Sequence, residues 1–440
     1  MSQKSSAVPF SHAGSGGEHG QLITLTVERP AHGGTFVGRL DGRVVFVRGA
    51  APGEAVAARV LPGAKDSDRF WRAEAVEIIE PSPDRVPTVW PEAGTNGIGG
   101  ADFAHIQLEA QRRIKTQVLQ ELLARAGVSS FEISEAQVQP ARADSDGLGW
   151  RTRVRFAVDD HRVGMRGWRS HEVFNVGENP LAHPAINALG VAEWQPPAGV
   201  TAVDAVAPSV GQSALTVRAD RSVTLAELSL PESVGRAHVL CVSSAGGQVL
   251  HGADHVRERV EQNSFDVSAG GFWQVHVDAP RLLTAEVLRL LDAQSGDTVW
   301  DLYGGAGLFS RPVAQRVGPD GSLISVEGAE RASRDADGNL ADLAQARAVQ
   351  ADVARFVTTD EKQPDRVIVD PPRAGVGEET MRDLTDRVRS TIVYVSCEPS
   401  TLARDLVVAE KAGWKVRDLG AFDLFPHTHH METVVKLERG

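Results

Sequence analysis

The chain predicts an α/β protein in three parts: a small N-terminal β-barrel, a mixed α+β central domain and a C-terminal doubly wound sheet. Three observations carry that prediction. Short β-rich runs punctuated by glycine and proline fill residues 22–80. Strands and helices alternate from about Asp278 onward, the mark of an open, mostly parallel sheet. Pro81, Pro83, Pro87 and Pro91 lie between the first region and the rest as a stiff linker. A chain of 440 residues has room for two or three domains. The expected division is a loose tail over 1–20, a barrel over 21–82, a central domain over 92–270 and the doubly wound domain over 271–440.

In the barrel region, runs at 22–27, 35–37, 44–47, 55–60 and 71–76 give five short strands, the number of an oligonucleotide-binding barrel. Apolar residues at helical spacing then predict a helix over 107–126, with Gly127 as its stop. A strand over 150–158 follows. Arg151, Arg153 and Arg155 share one of its faces, and Val154, Phe156 and Val158 share the other. Arg162, Arg166 and Arg169 come next, so a hairpin concentrates basic charge. Such a face suits a phosphate backbone, and it equally suits a solvated strand edge guarded against aggregation. Residues 200–267 read as further short strands.

In the last third, Leu282, Leu283, Val287, Leu288 and Leu291 mark a helix. Strands are expected over 298–303, 322–327, 348–352, 366–370 and 392–395, with a helix over 400–412 and a final strand over 433–437. Gly304-Gly305-Ala306-Gly307 makes the first strand-to-helix turn, where backbone amides can approach a ligand closely. Glu327 ends the second strand, where an acid can accept hydrogen bonds from ribose hydroxyls. Asp352 stands correspondingly after the third, within reach of an adenine edge. This pattern admits a nicotinamide dinucleotide or S-adenosylmethionine. Asp370-Pro371-Pro372-Arg373 then closes the fourth strand, and Ser396-Cys397-Glu398-Pro399 closes its neighbour. A carboxyl beside a thiol has no evident use in hydride transfer but does have one in methylating a base. The start of the following helix is expected to favour the Cys397 thiolate; a merely packed cysteine is the alternative.

Composition bounds the remainder. Hydrophobic content of 42% and charged content of 24% are ordinary for a soluble globular protein, and no apolar run is long enough to span a bilayer. The first twenty residues lack the apolar core of a signal peptide. Two cysteines, Cys241 and Cys397, can form neither a disulfide framework nor a multi-cysteine metal site, which fits a reducing cytoplasm. The net charge of −12 argues against nonspecific coating of nucleic acid but leaves room for a local basic groove. A cytoplasmic monomer without a membrane anchor is expected.

From residue 22 to the end the chain resembles the RNA (uracil-5-)-methyltransferase family of tRNA and 23S ribosomal RNA enzymes. Five motifs carry the resemblance: Phe272-Trp273-Gln274-Val275, Asp301-Leu302-Tyr303-Gly304-Gly305, Asp370-Pro371-Pro372-Arg373, Ser396-Cys397-Glu398-Pro399, and the run from Phe425 through His427, His429, His430 and Met431 to Glu432. It implies an RNA-binding TRAM barrel and a Rossmann-like class I methyltransferase sheet. It further implies that Gln274, Tyr303, Glu327, Asp352 and Asp370 contact S-adenosylmethionine, that Cys397 is the nucleophile and that Glu432 is the base. Asp370 is equally open to a contact with the uracil edge. Many relatives carry cysteines for an iron–sulfur cluster; the corresponding positions here hold Trp90, Ile98, Ala101 and Asn179, so no cluster is expected. Gly304 stands where relatives often have cysteine and Leu308 where some have asparagine.

The chemistry is coherent. A thiolate adding to carbon 6 of uracil makes carbon 5 nucleophilic enough to take a methyl group, and a base then removes the carbon 5 proton. The target base must flip out of its stack, with Arg151, Arg153, Arg155 and the barrel gripping the RNA. A cytosine-5 methyltransferase, a nicotinamide-dependent oxidoreductase and a noncatalytic RNA-binding module are the competing readings. No metal is expected at His427, His429 and His430, because a fourth ligand is missing.

Overall fold

The structure is a computed structural model that describes residues 20–65, 67–94, 97–141, 146–244 and 246–440. All but the last residue of the expected tail lies outside them. The chain divides into two compact units. One holds the barrel up to Pro83, apart from His32–Gly34; the other holds His32–Gly34 and Asp84–Gly440.

The first unit is built from β1 (Leu22–Ala31), β2 (Thr35–Leu40), β3 (Arg43–Arg48), β4 (Ala55–Val60) and β5 (Phe70–Glu80). They close in the order β1-β2-β3-β5-β4, with β4 pairing back onto β1. Closure removes the open edges that a five-stranded sheet would otherwise expose. Alternation does the sorting: Ile23, Leu25, Val27, Val45, Val47 and Trp71 point inward and are buried. The five expected strands are all present.

In the second unit, α1 (Leu108–Ala126) ends at Gly127, whose φ of 90° is the left-handed stop that glycine adopts without strain. After β6 (Val138–Pro140) comes a seven-stranded sheet. Its members are β7 (Arg153–Asp159), β8 (Arg162–Arg166), β9 (Val173–Phe174), β10 (Val200–Val206), β11 (Ala214–Ala219), β12 (His238–Ser243) and β13 (Gly246–His251). They lie in the order β13-β12-β11-β10-β7-β8-β9. A hairpin of β14 (His255–Val260) and β15 (Asn263–Ser268) follows.

The alternating part runs α2 (Ala279–Leu291), β16 (Thr298–Leu302), α3 (Ser310–Val317), β17 (Ser322–Glu327), α4 (Glu330–Leu340), β18 (Ala346–Gln350) and α5 (Val353–Thr359). It continues with β19 (Arg366–Val369), α6 (Glu378–Arg387), β20 (Thr391–Ser396), α7 (Pro399–Lys411), β21 (Trp414–Asp423) and β22 (Glu432–Arg439). The sheet order is β18-β17-β16-β19-β20-β22-β21-β6. The first five strands are parallel; β22 is antiparallel to both β20 and β21. Two apolar layers enclose it. Ile392 and Tyr394 of β20 enter one, and Val393 and Val395 enter the other. A one-residue slip would exchange them, so register is firmly set where the site begins.

Two elements differ in place from the sequence reading. Helix α1 and strand β6 lie in the stretch 92–270, yet β6 adds to the outer edge of the C-terminal sheet beside β21, and α1 packs on α7. Three residues of strand carry too little periodicity to announce such a partner. The third parallel strand ends at Gln350, two residues early, because Asp352 turns out of the sheet to cap α5, accepting from the Arg355 N–H at 2.9 Å. Among the described residues no helix is long and apolar enough to cross a membrane.

Candidate active site

Strand β20 is buried along its whole length and delivers Cys397, partly exposed, just before α7. Its neighbour β22 opens with Glu432. Ser396 and Thr433 face each other across the pair, and the Thr433 hydroxyl donates to the Ser396 carbonyl at 2.9 Å. Cys397 and Glu432 therefore leave the same end of adjacent strands. On the other side of β20, β19 ends before Asp370, and the turn after it carries Arg373, close enough for its charge to favour the Cys397 thiolate.

The electrostatics correct the expectation of a ready thiolate. Burial pushes the Cys397 thiol up to about 12; the carboxyls of Glu432 and Asp370 push the same way, and Arg373 opposes them. The partial charge of a helix start, roughly half a unit, does not outweigh desolvation and two acids. Glu432 is 3% exposed and its side chain makes no hydrogen bond to any described residue. Burial, with help from Asp370, holds its carboxyl well above the ordinary glutamate range against the pull of Arg373. Burial and the nearby Asp301 carboxyl push Asp370 up to about 7. A thiol, two proton-holding carboxyls and one guanidinium thus converge at one sheet edge.

Helix α7 fixes the arginine. Its Thr401 hydroxyl donates to the Arg373 carbonyl at 3.1 Å, and the Arg404 guanidinium donates to the Ala374 carbonyl at 2.9 Å. Asp405, fully buried, accepts from the Val376 N–H and the Tyr394 hydroxyl, each at 2.8 Å. Sequence reasoning named Arg373 only as part of a motif; its influence on the thiol crosses between two turns and has no local signature.

The loop that carries Glu432 is held from α1. Lys115, 1% exposed, pairs with Asp423 at 2.5 Å and donates to the Phe425 carbonyl at 3.0 Å. The Gln111 carbonyl oxygen accepts from the His427 N–H at 2.7 Å, and the His427 carbonyl accepts from the Phe103 N–H at 2.9 Å. Neither Lys115 nor Gln111 was picked out by sequence. A signal existed: both stand in phase with buried Ile114, Val118 and Leu119 on the inner face of α1.

Toward β16 and β17 lies the edge expected to hold a cofactor. Tyr303 has φ 61°, and a Cβ at Gly304 would sit 2.3 Å from the Ser325 hydroxyl, so a larger residue there would require that hydroxyl to move. Glu327 accepts from the Gly305 N–H at 3.2 Å and the Ala329 N–H at 2.7 Å. Burial pushes the Tyr303 hydroxyl up to about 12, reinforced by the carboxylates of Asp352, Asp405 and Glu327, which places those acids around it. Among the described residues, one Asp301 oxygen and the Ser325 hydroxyl are buried without a hydrogen-bond partner. Gln274 is buried nearby, and Trp273 before it packs on Phe265 at 5.3 Å.

The three arginines expected to grip RNA do not form one open basic face. Arg153 is partly buried, donating to the Gly271 carbonyl and pairing with Glu258 at 3.4 Å. Arg155 is exposed but bound to Asp204, which also holds Arg218. Only Arg151 has no carboxylate among the described residues, and it lies close enough to feel the charge of Arg373. Glu258 and Asp204 come from distant strands, which strand periodicity cannot reveal. Among the histidines, His429 meets Asp102 at 2.7 Å, and burial drives His430 down to about 3, where it is neutral. No group of three or more metal-binding side chains is found among the described residues.

Comparison with known proteins gives this arrangement a family. Residues 238–440 match the tRNA (Uracil-5-)-methyltransferase family model, and residues 17–75 match the TRAM domain. A Streptomyces avermitilis protein described as an uncharacterized RNA methyltransferase is 41% identical over 433 residues, covering 95% of this chain and 98% of its own. The chain belongs to the RNA (uracil-5-)-methyltransferase family. The 23S rRNA (uracil(1939)-C(5))-methyltransferase RlmD of Chromohalobacter salexigens is 30% identical, covering 94% of this chain and 89% of its own. For the fold, the Pyrococcus abyssi tRNA (uracil-54, C5)-methyltransferase in complex with S-adenosyl-L-homocysteine superposes with a TM-score of 0.70 at 22% identity. That match covers 94% of this chain and 99% of the other. It bears out the barrel and the Rossmann-like sheet.

In this uracil-5-methyltransferase family member, the four positions at which the resemblance would put cluster ligands do not fit an iron–sulfur cluster. Trp90, Ile98 and Ala101 pack in one apolar group with Trp150 and Leu181. The Asn179 side-chain oxygen Oδ1 accepts from the Leu181 and Ala182 N–H groups. Neither of the chain's two cysteines belongs to that group.

Asp301 supplies a pH test of the cofactor edge. Burial pushes it from 3.8 to about 7, with the Ser310 hydroxyl opposing and Glu327 adding to the rise. The folded chain therefore holds a proton that the unfolded chain gives up. The linked stability is fully present below about pH 4 and is lost as pH rises through 7, by roughly 4 kcal/mol. Asp301→Asn cannot ionise. Melting curves at pH 5 and pH 8 should show the wild type losing ground to the variant at the higher pH; a gap independent of pH would mean that Asp301 ionises normally.

Proposed function

We propose that this protein methylates carbon 5 of a uridine in tRNA or 23S ribosomal RNA, using S-adenosylmethionine and a covalent bond from Cys397 to carbon 6. The observation that supports it most is the meeting of Cys397, Arg373, Glu432 and Asp370 beside the Gly304 turn. A cytoplasmic monomer with a TRAM barrel, a central domain and a methyltransferase domain is part of the same reading.

The residues at the turn suit S-adenosylmethionine. Gly304 leaves room for close approach, and the unpartnered Asp301 and Ser325 oxygens await hydrogen-bonding groups. Tyr303, Glu327 and Asp352 would surround the nucleoside, and Gln274 and Asp370 would complete the contacts. When bound, the group supplies a methyl on a positively charged sulfur.

The protein's own residues do the rest. The Cys397 thiol gives up its proton as its lone pair bonds carbon 6, and the uracil double-bond electrons move onto the carbonyl oxygen. Asp370, whose carboxyl burial pushes up to about 7, would receive that proton. Arg373 steadies the charge on the sulfur. After methylation Glu432 takes the carbon 5 proton, the sulfur–carbon 6 bond breaks, and the thiolate leaves. Glu432 does this in its ionised form; once ionised, a carboxyl with raised proton affinity is a stronger base for that step than an ordinary glutamate. Arg151, beside Arg373, is the member of the arginine set left to meet the RNA backbone.

The test uses purified protein, S-adenosylmethionine and RNA carrying 5-fluorouridine. Fluorine cannot leave as a proton does, so a protein–RNA adduct should accumulate on a denaturing gel, and Cys397→Ala should show none. No adduct with wild type, or an undiminished one with the variant, would refute the covalent reading. A 5-fluorocytidine adduct instead would reassign the base.

A further inference from the structure

The outer face of the barrel carries a group that folding does not require. On β3, Val45 and Val47 face the core, which leaves Val44 and Phe46 outward; on β5, Trp71 and Ala73 face in, which leaves Phe70 and Arg72 outward. The two strands run parallel with Val44 opposite Phe70 and Phe46 opposite Arg72. The rings of Phe46 and Phe70 meet edge to face, 5.5 Å apart at 84°. The Arg72 guanidinium lies 5.1 Å from the centre of the Phe70 ring, and that of Arg43 lies 4.0 Å from the centre of Trp71. Phe70 is nevertheless 42% exposed.

A phenylalanine held in water forfeits stabilisation that burial would give, so exposed Phe70 beside half-buried Phe46 is a cost unless something covers it. Charge indicates what does. Arg69 and Arg72 are exposed and have no carboxylate partner among the described residues. Aromatic faces flanked by guanidinium groups on the outer strands of a small closed barrel are the features that hold single-stranded nucleic acid. There the rings stack on bases and the arginines meet phosphates.

We propose that Phe46, Phe70 and Arg72 form a stacking platform for an unpaired stretch of the substrate RNA, engaging bases other than the reacting uridine. The proposal rests on the reading of the protein as an RNA methyltransferase and adds the single-stranded form of part of its substrate.

The experiment measures binding of the full chain to labelled single-stranded oligouridine at several salt concentrations, by fluorescence anisotropy. Phe46→Ala combined with Phe70→Ala should weaken binding by about tenfold or more with the salt slope unchanged, because stacking is not ionic. Arg69→Gln with Arg72→Gln should lower the slope by up to about two. Phe70→Trp and Phe70→Leu guard against a folding defect: both keep apolar bulk and only tryptophan keeps a ring to stack. Tryptophan should bind like wild type and leucine should not. Equal affinities for these two, wild-type binding by the double alanine variant, or equal losses toward duplex RNA of the same length would overturn the platform. The 5-fluorouridine adduct separates the two readings. If wild type forms no adduct, the catalytic reading fails while oligouridine binding still decides the platform.

Discussion

Glu432→Gln is expected to complete one methyl transfer and then stay attached to its RNA, lowering steady-state turnover by roughly 10²–10⁴-fold. The amide fills nearly the same space but cannot take the carbon 5 proton. A denaturing gel of a single-turnover reaction should therefore show methylated RNA bound through Cys397. A second consequence follows from the electrostatics. Of the two acids that oppose ionisation of Cys397, Glu432 has the larger effect. Removing it should move the pH profile of Cys397 alkylation to lower pH, with the variant reacting faster than wild type over the range in which wild-type Glu432 is ionised. Cys241, 1% exposed, should stay silent in both proteins. Release of RNA at the wild-type rate would remove Glu432 from the role of base; an unmoved alkylation profile would show that its charge does not reach the sulfur.

The features that were legible in the sequence are those written in consecutive residues. The run Ile392-Val393-Tyr394-Val395 is apolar on both faces because both faces of β20 are covered, and that alone places Cys397 at a sheet edge. Gly304 could be read as a place of close approach because it stands with Gly305 and Gly307 directly after a strand. The arginines were different. Arg153 and Arg155 do alternate along a strand, as expected, but their partners lie 105 and 49 residues away, and pairing over such spans leaves no periodic trace. The thiol's high pKa was hidden for the same reason. A helix start is local and visible, whereas the opposing acids arrive from strands β19 and β22, brought beside β20 only by the sheet order.

Those acids act together only while the loop between β21 and β22 keeps its place, and Lys115 is the side chain on which that depends most. Lys115→Ala should destabilise the protein by about 3–5 kcal/mol, because it leaves Asp423, 2% exposed, as a buried charge without its cation. It should also slow the release of methylated RNA, since the Phe425 carbonyl loses its donor and Glu432 loses its anchor seven residues further on. The two effects are separable. Lys115→Met with Asp423→Leu replaces the ion pair by apolar groups of similar volume, so thermal denaturation should recover most of the lost stability. The Phe425 carbonyl still lacks its donor in that double variant, so single-turnover release should stay slow although adduct formation is near normal. A buried ion pair that served stability alone would give the opposite pattern, with release returning together with the melting temperature. A Lys115→Ala protein within about 1 kcal/mol of wild type would show that α1 does not hold the loop at all.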